Sequence, residues 1–319
     1  MLGLRIRMFL LTAALFAVIY AVISMIGYHM GINNFAFYLI ASIVMMLIQY
    51  LIGPKIVEWS MRVKYIQESD NPRLFSTVRE LARRANIPMP RIGIARISVP
   101  NAFAFGRTLR DGRVCVTEGI VGLLDENELK AVLGHEISHL KNRDVLTITI
   151  LSVIPMILYR IAWQFLFFGD NRRDRQSNTA LVGLAAFIFY FATNLLVLYA
   201  SRIREYFADE GAVKLGCQPS ELASALYKLV YGSARMPKDA IKDVEGMKAF
   251  FANDPSRALK ELNDLRDLDL DKSGTISSAE MSVLRNKAVH LKFTDKLFEV
   301  FSTHPNMLKR IKRLSTLKV

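Results

Sequence analysis

Cysteine is nearly absent from this sequence. Only Cys115 and Cys217 occur among its 319 residues, and they lie in unrelated contexts without the spacing of metal ligands. A disulfide framework and a cysteine-based zinc module are therefore excluded as the basis of the fold. We expect both thiols to be reduced and inert, in a part of the chain that faces the cytosol.

The sequence also lacks the features of a nucleic-acid-binding protein, although its formal net charge is +13. No aromatic residues are interleaved with the basic ones, and no recognisable binding module is present. The positive charge is better explained by membrane topology, because basic residues flank the apolar segments of the chain. We therefore expect no nucleic-acid partner.

The sequence contains more long apolar runs than an ordinary soluble domain does. Hydrophobic residues make up 52% of the chain, and the mean hydropathy is +0.23. Four runs approach the ~20 apolar residues that a helical span needs, and they cover roughly 8–27, 35–53, 145–168 and 180–200. They predict four transmembrane helices in two hairpins. The first run is long, lacks a clear cleavage site and is followed at once by a second span, so a retained anchor is expected rather than a signal peptide.

The distribution of basic residues predicts the orientation of these spans. Loop 28–34 carries no Lys or Arg, whereas basic residues flank the first hairpin on both sides, at Arg5, Arg7, Lys55, Arg62 and Lys64. The positive-inside rule places both flanks in the cytoplasm. Two features strain this scheme, because loop 170–178 carries three arginines on the predicted outer side and Arg160 lies inside the third span. The second hairpin is therefore expected to be shallow or partly buried in protein.

Two polar segments, 54–144 and 201–319, lie between and after the hairpins. In the first, Asn71-Pro72 opens an amphipathic helix, and Asp125 with Glu128 forms an N-cap pair for a later one. Stretches 91–98 and 113–117 read as short strands, with a turn at 110–112. The second segment is mostly helical by pattern, with breaks near Gly216, Pro219, Pro237 and Pro255.

The stretch LGHEISHL at 133–140 carries the clearest chemical signal. His135 and His139 are four residues apart, so on a helix both project from one face and can hold one Zn²⁺. Glu136 lies beside them as a candidate general base for water. The alternative is an accidental HExxH match on a solvated helix.

A catalytic zinc site needs a third protein ligand. Glu205 in SRIREYFADEG is the best candidate, and Asp209, one turn later, suits a role as hydrogen-bond acceptor for a ligand imidazole. Two predicted spans separate His139 from Glu205, so both lie on one side of the membrane, within roughly 10 Å of the bilayer core at 1.5 Å per residue. The alternative is an exposed acidic helix.

Four stretches resemble one known family. HEISHLKNRD, REYFAD, PNAFAFG and STHPNMLKRI are similar to motifs of the HtpX family of membrane zinc metalloproteases, which are related to the CAAX prenyl proteases. The resemblance covers most of the chain. It implies one Zn²⁺ per chain, with His135, His139 and Glu205 as ligands and Glu136 as the base.

The same resemblance implies further site residues. Asn101 and Ala102 match a substrate-binding motif on an edge strand beside the zinc helix, and His304 and Arg310 match positions near the reacting carbonyl. Each has a simpler alternative. Asn101 and Ala102 would form an ordinary turn after a strand, His304-Pro305 would mark a helix N-terminus, and Arg310 would belong to the basic run 309–313, which then lies against anionic headgroups.

The expected fold is mostly helical, with four transmembrane helices and a cytoplasmic, zincin-like α+β catalytic domain bearing a small sheet. Its parts are the membrane hairpin 1–53, the catalytic segment 54–144 with the HExxH helix, the second hairpin 145–200 and the helical segment 201–319. The expected protein is a multi-pass cell-membrane zinc endopeptidase. It cuts membrane or misfolded proteins at the cytoplasmic face, in stress-related quality control.

An EF-hand-like loop at 269–280 falls outside the HtpX pattern. EF-hand loop positions 1, 3, 5, 7, 9 and 12 are held by Asp269, Asp271, Ser273, Thr275, Ser277 and Glu280, with Gly274 at position 6. The pattern predicts a possible Ca²⁺ site that orders the segment and influences the nearby His304 region. The alternative is an acidic loop between two helices.

Two other functions are compatible with the sequence. A prenyl-protein (CAAX-type) protease would use the same chemistry on a narrower substrate, although four spans are few for the large chamber of those relatives. A non-catalytic, calcium-responsive membrane scaffold belongs to another class. Glu136 argues against the scaffold, because a structural zinc site needs no base and closes with a fourth protein ligand.

Overall fold

The computed structural model describes residues 47, 50–167, 176–244, 251, 255–286 and 299–317. The first predicted span, the loop after it and nearly all of the second span lie outside the described residues. The arginine-bearing part of loop 170–178 also lies outside them, and so does the side chain of Arg160.

The described chain is mostly helical and contains a small mixed sheet. Its strands are β1 (Val63–Tyr65), β2 (Arg91–Ala95), β3 (Ala102–Phe105) and β4 (Arg113–Thr117). Its helices are α1 (50–60), α2 (Pro72–Ala85), α3 (Glu126–Lys141), α4 (Asp144–Phe167), α5 (Gln176–Lys214), α6 (Pro219–Ala234), α7 (Lys238–Asp243), α8 (Ala258–Leu265), α9 (Ser278–Asn286) and α10 (Met307–Leu314). Short 3-10 turns cover Leu109–Asp111, Glu118–Ile120 and Pro255–Arg257.

The sheet has the strand order β1-β2-β4-β3. β1 is antiparallel to β2, β2 is parallel to β4, and β4 is antiparallel to β3. The strand predicted at 113–117 is confirmed, and the one predicted at 91–98 ends earlier, at Ala95. There the Ile97 amide donates to the Ala95 carbonyl at 2.8 Å, which turns the chain out of the sheet. The predicted turn at 110–112 is a 3-10 turn capped by Thr108.

Both predicted helix starts are confirmed by their caps. The Asn71 side chain accepts from the Leu74 amide at the start of α2, with Pro72 in the first turn. At the start of α3, Asp125 and Glu128 form a capping box, which satisfies two amides that have no partner within the helix. The predicted breaks are also confirmed, since α5 ends at Lys214, α6 begins at Pro219 and α8 follows Pro255.

The chain divides into two compact units. The first consists of 1–52 and 146–203, and in its described part α4 packs on α5 through Leu151, Ile154, Leu158, Val197 and Ala200. Among the described residues, one helix segment, Ala180–Lys214, is long and apolar enough to cross a membrane. The four predicted spans therefore stay a prediction.

The second unit consists of 53–145 and 204–319. Its core is built from the sheet and the helices α2, α3, α6, α8, α9 and α10. Cys115 and Cys217 are free thiols buried in this unit. Burial raises the pKa of Cys115 to about 12 and that of Cys217 to about 11, so both thiols stay protonated near neutral pH.

Candidate metal centre

Two helices bring the three predicted ligands together. His135 and His139 project from one face of α3, and their Nε2 atoms lie 3.0 Å apart. Glu205 on α5 places Oε2 3.6 Å from Nε2 of His135 and Oε1 3.5 Å from Nε2 of His139. The three ligand atoms form a group that lies within 4.8 Å of one another.

These spacings fit a tetrahedral zinc site. Ligand atoms about 2.0–2.1 Å from a tetrahedral Zn²⁺ lie about 3.3 Å from each other. The separations of 3.0 Å between the two nitrogens, 3.6 Å from His135 to Oε2 of Glu205 and 3.5 Å from His139 to Oε1 of Glu205 bracket that value. Two nitrogens and one carboxylate oxygen are also donors that zinc accepts, and they leave one position open.

The outer nitrogens of the two imidazoles point at carboxylates. Nδ1 of His139 lies 2.5 Å from Oδ2 of Asp144. Nδ1 of His135 lies 2.9 Å from Oδ1 of Asp209, close enough for an ion pair but too bent for a well-aligned hydrogen bond. The two Nε2 atoms face each other across 3.0 Å, and the raised pKa of His135 places a proton between them near neutral pH. A metal cation can take the place of that proton, because both Nε2 atoms and the Glu205 carboxylate converge on one position.

The pKa values of the two histidines move in opposite directions. Burial and the neighbouring charge of His135 lower the pKa of His139 to about 4. Burial also acts to lower the pKa of His135, but the close carboxylates of Asp209 and Glu205 outweigh it and raise the value to about 9. The pair therefore does not carry two positive charges at neutral pH.

Glu136 lies next to the ligands on α3 and is 5% exposed. Burial raises the pKa of its carboxyl group, and the negative charge of Glu205 adds to that effect. The nearby imidazoles, His135 more than His139, and a hydrogen bond from the Ala104 backbone act in the other direction. A carboxylate with a raised pKa is a better proton acceptor near neutral pH than an ordinary one.

Arg310 on α10 holds the carboxylates of α5. Its Nε and Nη2 atoms donate to Oδ2 and Oδ1 of Asp209 at 3.0 and 2.6 Å, and Nη1 lies 3.1 Å from Oε2 of Glu205. The Arg310 side chain is fully buried. Burial acts to lower its pKa, but Asp209 and Glu205 outweigh burial and raise it, so the guanidinium stays charged.

The alternative that Arg310 belongs to a basic surface run is wrong. Lys309 pairs with Glu299 and Arg313 lies 3.8 Å from Glu210, both at partly exposed positions, whereas Arg310 turns inward. The helical period turns Lys309 about 100° away from Arg310, whereas Arg313, three residues on, lies about 60° away at the partly exposed margin of the same face.

His304 also reaches the site from the segment before α10. Its Nε2 lies 3.8 Å from Oε1 of Glu205, and its Nδ1 lies 2.9 Å from Oγ1 of Thr303. Burial lowers the pKa of His304. The following helix is capped by Asn306 and begins at Met307, so His304-Pro305 precedes the helix rather than opening it.

A glycine permits α5 to lie close to α3 at this point. A Cβ atom on Gly211 would come within 1.9 Å of Oγ of Ser138, so no other residue fits here without a shift. Gly211 comes two residues after Asp209, and Ser138 precedes His139. The contact therefore fixes the spacing between the two ligand-bearing helices.

Asn101 and Ala102 lie where β3 begins, at the edge of the sheet and beside α3. The Asn101 carbonyl accepts from the Thr117 amide at 2.9 Å, so residues 101, 103 and 105 face β4. Backbone groups of an antiparallel strand alternate in direction, so those of Ala102 and Ala104 face away from β4. Asn101 itself is buried, and its backbone amide donates to Oγ1 of Thr117 at 2.8 Å.

Two residues of the site were missed at the sequence level. Asp144 is the first residue of α4, and besides contacting His139 it pairs with Arg204 on α5. The signal was an acid five residues after His139 and an arginine next to Glu205. Neither spacing follows the helical period of its partner, so pattern alone did not connect them.

The EF-hand-like loop has its carboxylates close together. Asp269, Asp271 and Glu280 offer oxygens within 4.8 Å of one another. Gly274 has φ +78°, the left-handed conformation that the sixth loop position requires. Thr275 lies beside Ser273, with their hydroxyls 2.9 Å apart, and Ser277 donates to Glu280. Ile276, between them, is buried in the core. These contacts also exist in an acidic loop that binds nothing.

A histidine pair, a distant carboxylate and an adjacent glutamate, beside an open strand edge in a mostly helical chain, define a metallopeptidase. Residues 68–318 match the family model of peptidase family M48, and the chain belongs to that family. It is 54% identical over 227 residues to a "Protease HtpX homolog" of Methanothermobacter thermautotrophicus. The aligned region covers 71% of this chain and 86% of the relative. The "Protease HtpX homolog 2" of Methanosarcina mazei is 34% identical over 273 residues, or 85% of this chain and 81% of the relative.

A solved structure shares the fold. The crystal structure of Ste24p from S. mikatae aligns with 98% of this chain and 67% of its own, with a TM-score of 0.53 and 15% identity. At that identity the likeness concerns the fold alone. The resemblance to HtpX proteases that the motifs indicated is confirmed.

Proposed function

We propose that this protein is a membrane-embedded zinc endopeptidase that hydrolyses membrane or misfolded proteins at the cytoplasmic face. The observation that carries the proposal is the spacing of His135, His139 and Glu205, with Glu136 beside them. His135, His139 and Glu205 would hold one Zn²⁺, which polarises the scissile carbonyl and makes water more acidic.

The protein's own residues then divide the chemistry. Glu136 takes a proton from the attacking water and delivers it to the leaving amine, a role that its raised pKa favours. Nε2 of His304, which is near Glu205, donates a hydrogen bond to the carbonyl oxygen as charge develops there. Arg310 keeps Glu205 in place rather than contacting substrate, because it is fully buried against Glu205 and Asp209.

The open edge of β3 is the proposed substrate-binding surface. A peptide in extended conformation adds to the sheet through the outward backbone groups of Ala102 and the carbonyl of Ala104, since the Ala104 amide is bonded to Glu136. Because β3 lies beside α3, the peptide passes the HExxH helix. Such binding uses main-chain groups, so it suits substrates of varied sequence.

The membrane location rests on the apolar runs of the sequence. We propose that four spans cross the bilayer, of which α4 and α5 include the third and fourth, and that the basic flanks keep the site on the cytoplasmic side. A site beside the bilayer meets polypeptides that have failed to insert or fold there.

The decisive experiment compares Glu136→Gln with Glu126→Gln in purified, detergent-solubilised protein. Glu126 lies on the same helix but is exposed and paired with Arg73. We expect one zinc per chain in all three proteins, and cleavage of casein by wild type and Glu126→Gln but not by Glu136→Gln. Zinc binding without any difference in cleavage among the three would contradict the proposal.

A prenyl-protein protease is the second candidate, because the same residues perform the same hydrolysis. A farnesylated peptide ending in a CAAX sequence, offered beside its unmodified form, tests it. Cleavage restricted to the farnesylated peptide would favour this candidate over a general endopeptidase.

We also propose, on the three close carboxylates, that loop 269–280 binds Ca²⁺ and orders the segment leading to His304. The non-catalytic calcium-responsive scaffold would share this property. Calorimetric titration with Ca²⁺ of wild type and of an Asp269→Ala, Glu280→Ala double variant tests it. Equal heats for the two proteins would show that this loop does not bind Ca²⁺.

A further inference from the structure

We propose that Asp144 is the positioning residue for His139, and that Arg204 holds Asp144 for this role. The inference deepens the proposed function and rests on it, since it concerns how one zinc ligand is oriented. Asp144 itself does not touch the reacting atoms.

The two oxygens of Asp144 have different partners. Oδ2 lies 2.5 Å from Nδ1 of His139, and Oδ1 pairs with Nη2 of Arg204. An ionised carboxylate only accepts, so Nδ1 of His139 must carry the proton. That tautomer leaves Nε2 with a lone pair directed at the metal position, and a carboxylate partner makes the imidazole a stronger donor.

The backbone explains how Asp144 reaches His139. Helix α3 ends at Lys141, and Arg143 adopts φ +55°, a left-handed conformation that an arginine rarely takes. The left-handed backbone at Arg143 ends one helix and starts the next. It thereby brings the Asp144 carboxylate next to Nδ1 of His139. A conformation costing about 1 kcal/mol or more persists only where surrounding contacts favour it.

Burial makes the pair Asp144–Arg204 interdependent. Asp144 and Arg204 are each 7% exposed. Either charge alone would be buried without a counter-charge, which is strongly destabilising. Arg204 therefore holds the orientation of the Asp144 carboxylate.

The arrangement repeats one already described on the other ligand. Nδ1 of His135 contacts Asp209, which pairs with Arg310. In the same way, Nδ1 of His139 contacts Asp144, which pairs with Arg204. Each imidazole thus has its own carboxylate, and each carboxylate its own arginine. The two arginines come from different elements, α10 and α5, and α5 also carries Asp209.

Zinc affinity of the full-length protein in detergent, measured by competition with a chelator of known affinity, tests the proposal. We expect Asp144→Asn and Asp144→Ala to weaken zinc binding by roughly 10–100-fold. Asp144→Glu should recover part of the loss, and Arg204→Gln should weaken binding less than Asp144→Ala does. Asp111→Asn is the matched control, because Asp111 is also paired with arginines, at 2.8 Å from Arg107 and 3.0 Å from Arg113.

A second readout separates orientation from general instability. Cobalt replaces zinc and absorbs visible light according to its ligand geometry. We expect the spectrum of Asp144→Asn to differ from wild type and that of Asp111→Asn to match it. Unchanged zinc affinity and an unchanged cobalt spectrum in both Asp144 variants would overturn the inference while leaving the proposed function intact. A wild-type protein that binds no zinc would overturn both.

Discussion

Arg310 shows how much one residue of this site depends on its surroundings. It is the largest side chain that is fully buried among the described residues, and it carries a charge. Its guanidinium is shared between Asp209, which it contacts through two nitrogens, and Glu205. A buried positive charge of this kind offsets two negative charges that the metal alone, when bound to Glu205, neutralises only in part.

Replacing Arg310 by Leu should therefore destabilise the protein strongly. Removing one partner of a buried ion pair costs about 3–5 kcal/mol, because the other charge stays buried without compensation. The thermal midpoint in detergent, followed by circular dichroism, measures the change. Arg313→Leu, on the same helix but partly exposed and 3.8 Å from Glu210, is the matched control and should shift the midpoint much less. Equal shifts would show that Asp209 and Glu205 do not depend on Arg310.

The residues of the site were predictable to different degrees. His135 and His139 share a face because of the helical period, and Glu205 followed from the need for a third ligand. Asp144 was not predictable, because its contact depends on the left-handed backbone at Arg143, which no local pattern of the sequence signals. Arg310 was found only by resemblance to a family, since a basic helix by itself predicts an exposed surface.

At the scale of elements, β3 is one of the two edge strands of the sheet, with β1 at the opposite edge. It pairs with β4 on one side only, and its outward backbone groups alternate with those that pair. A strand edge of this kind usually carries a risk of unwanted association. Here it lies beside α3, the helix that bears both histidines, which is why we propose it as the surface for a peptide in extended conformation.

Substrates with single N-methylated residues should reveal this pairing. N-methylation removes one main-chain donor, and only alternate residues of a bound strand face β3. We expect KM to rise for modifications at every second position and to stay near that of the parent peptide at the positions between. A panel of peptides with the methyl group moved one residue at a time measures it. A loss that is uniform along the peptide would contradict binding as an added strand.

The lengths of the elements explain which of them sequence patterns predicted. The helix start at Pro72 and the capping box at Asp125 carry local signals in the chain. Strand β1 spans only Val63–Tyr65, too short for alternation to be visible, and it was missed. Its place is set by pairing with β2, a contact between residues about 30 positions apart along the chain.

At the scale of the whole molecule, the proposed metal joins parts of the chain that are distant in sequence. Helix α3 supplies two ligands and α5 supplies the third, and Arg310 adds a link from α10. Without a cation, the two imidazole nitrogens face each other at 3.0 Å beside a carboxylate. Zinc should therefore stabilise the fold as well as enable hydrolysis.

Removal of zinc should lower the thermal midpoint and abolish cleavage, and its return should restore both. Binding to the folded state alone contributes about 2.7 kcal/mol when free zinc is 100 times the dissociation constant. Scanning calorimetry with and without a chelator measures the shift. Glu136→Gln should show the same shift as wild type, because Glu136 is not a ligand, and His139→Ala should show little. If the thermal midpoint of wild type is the same with and without the chelator, the metal does not stabilise the fold.

Helix α5 runs without interruption from Gln176 to Lys214, so Glu205 and Asp209 belong to the same helix as the apolar stretch before them. Each residue of an α-helix advances the rotational phase by about 100°. Inserting one alanine after Ala200 would leave the composition and hydropathy of the chain nearly unchanged. It would nevertheless rotate Glu205 by about 100° around the helix axis relative to the helix residues before the insertion. An insertion of seven residues, close to two full turns, would restore the azimuth at the cost of length. In this helix, the number of inserted residues therefore decides whether Glu205 still faces the two histidines.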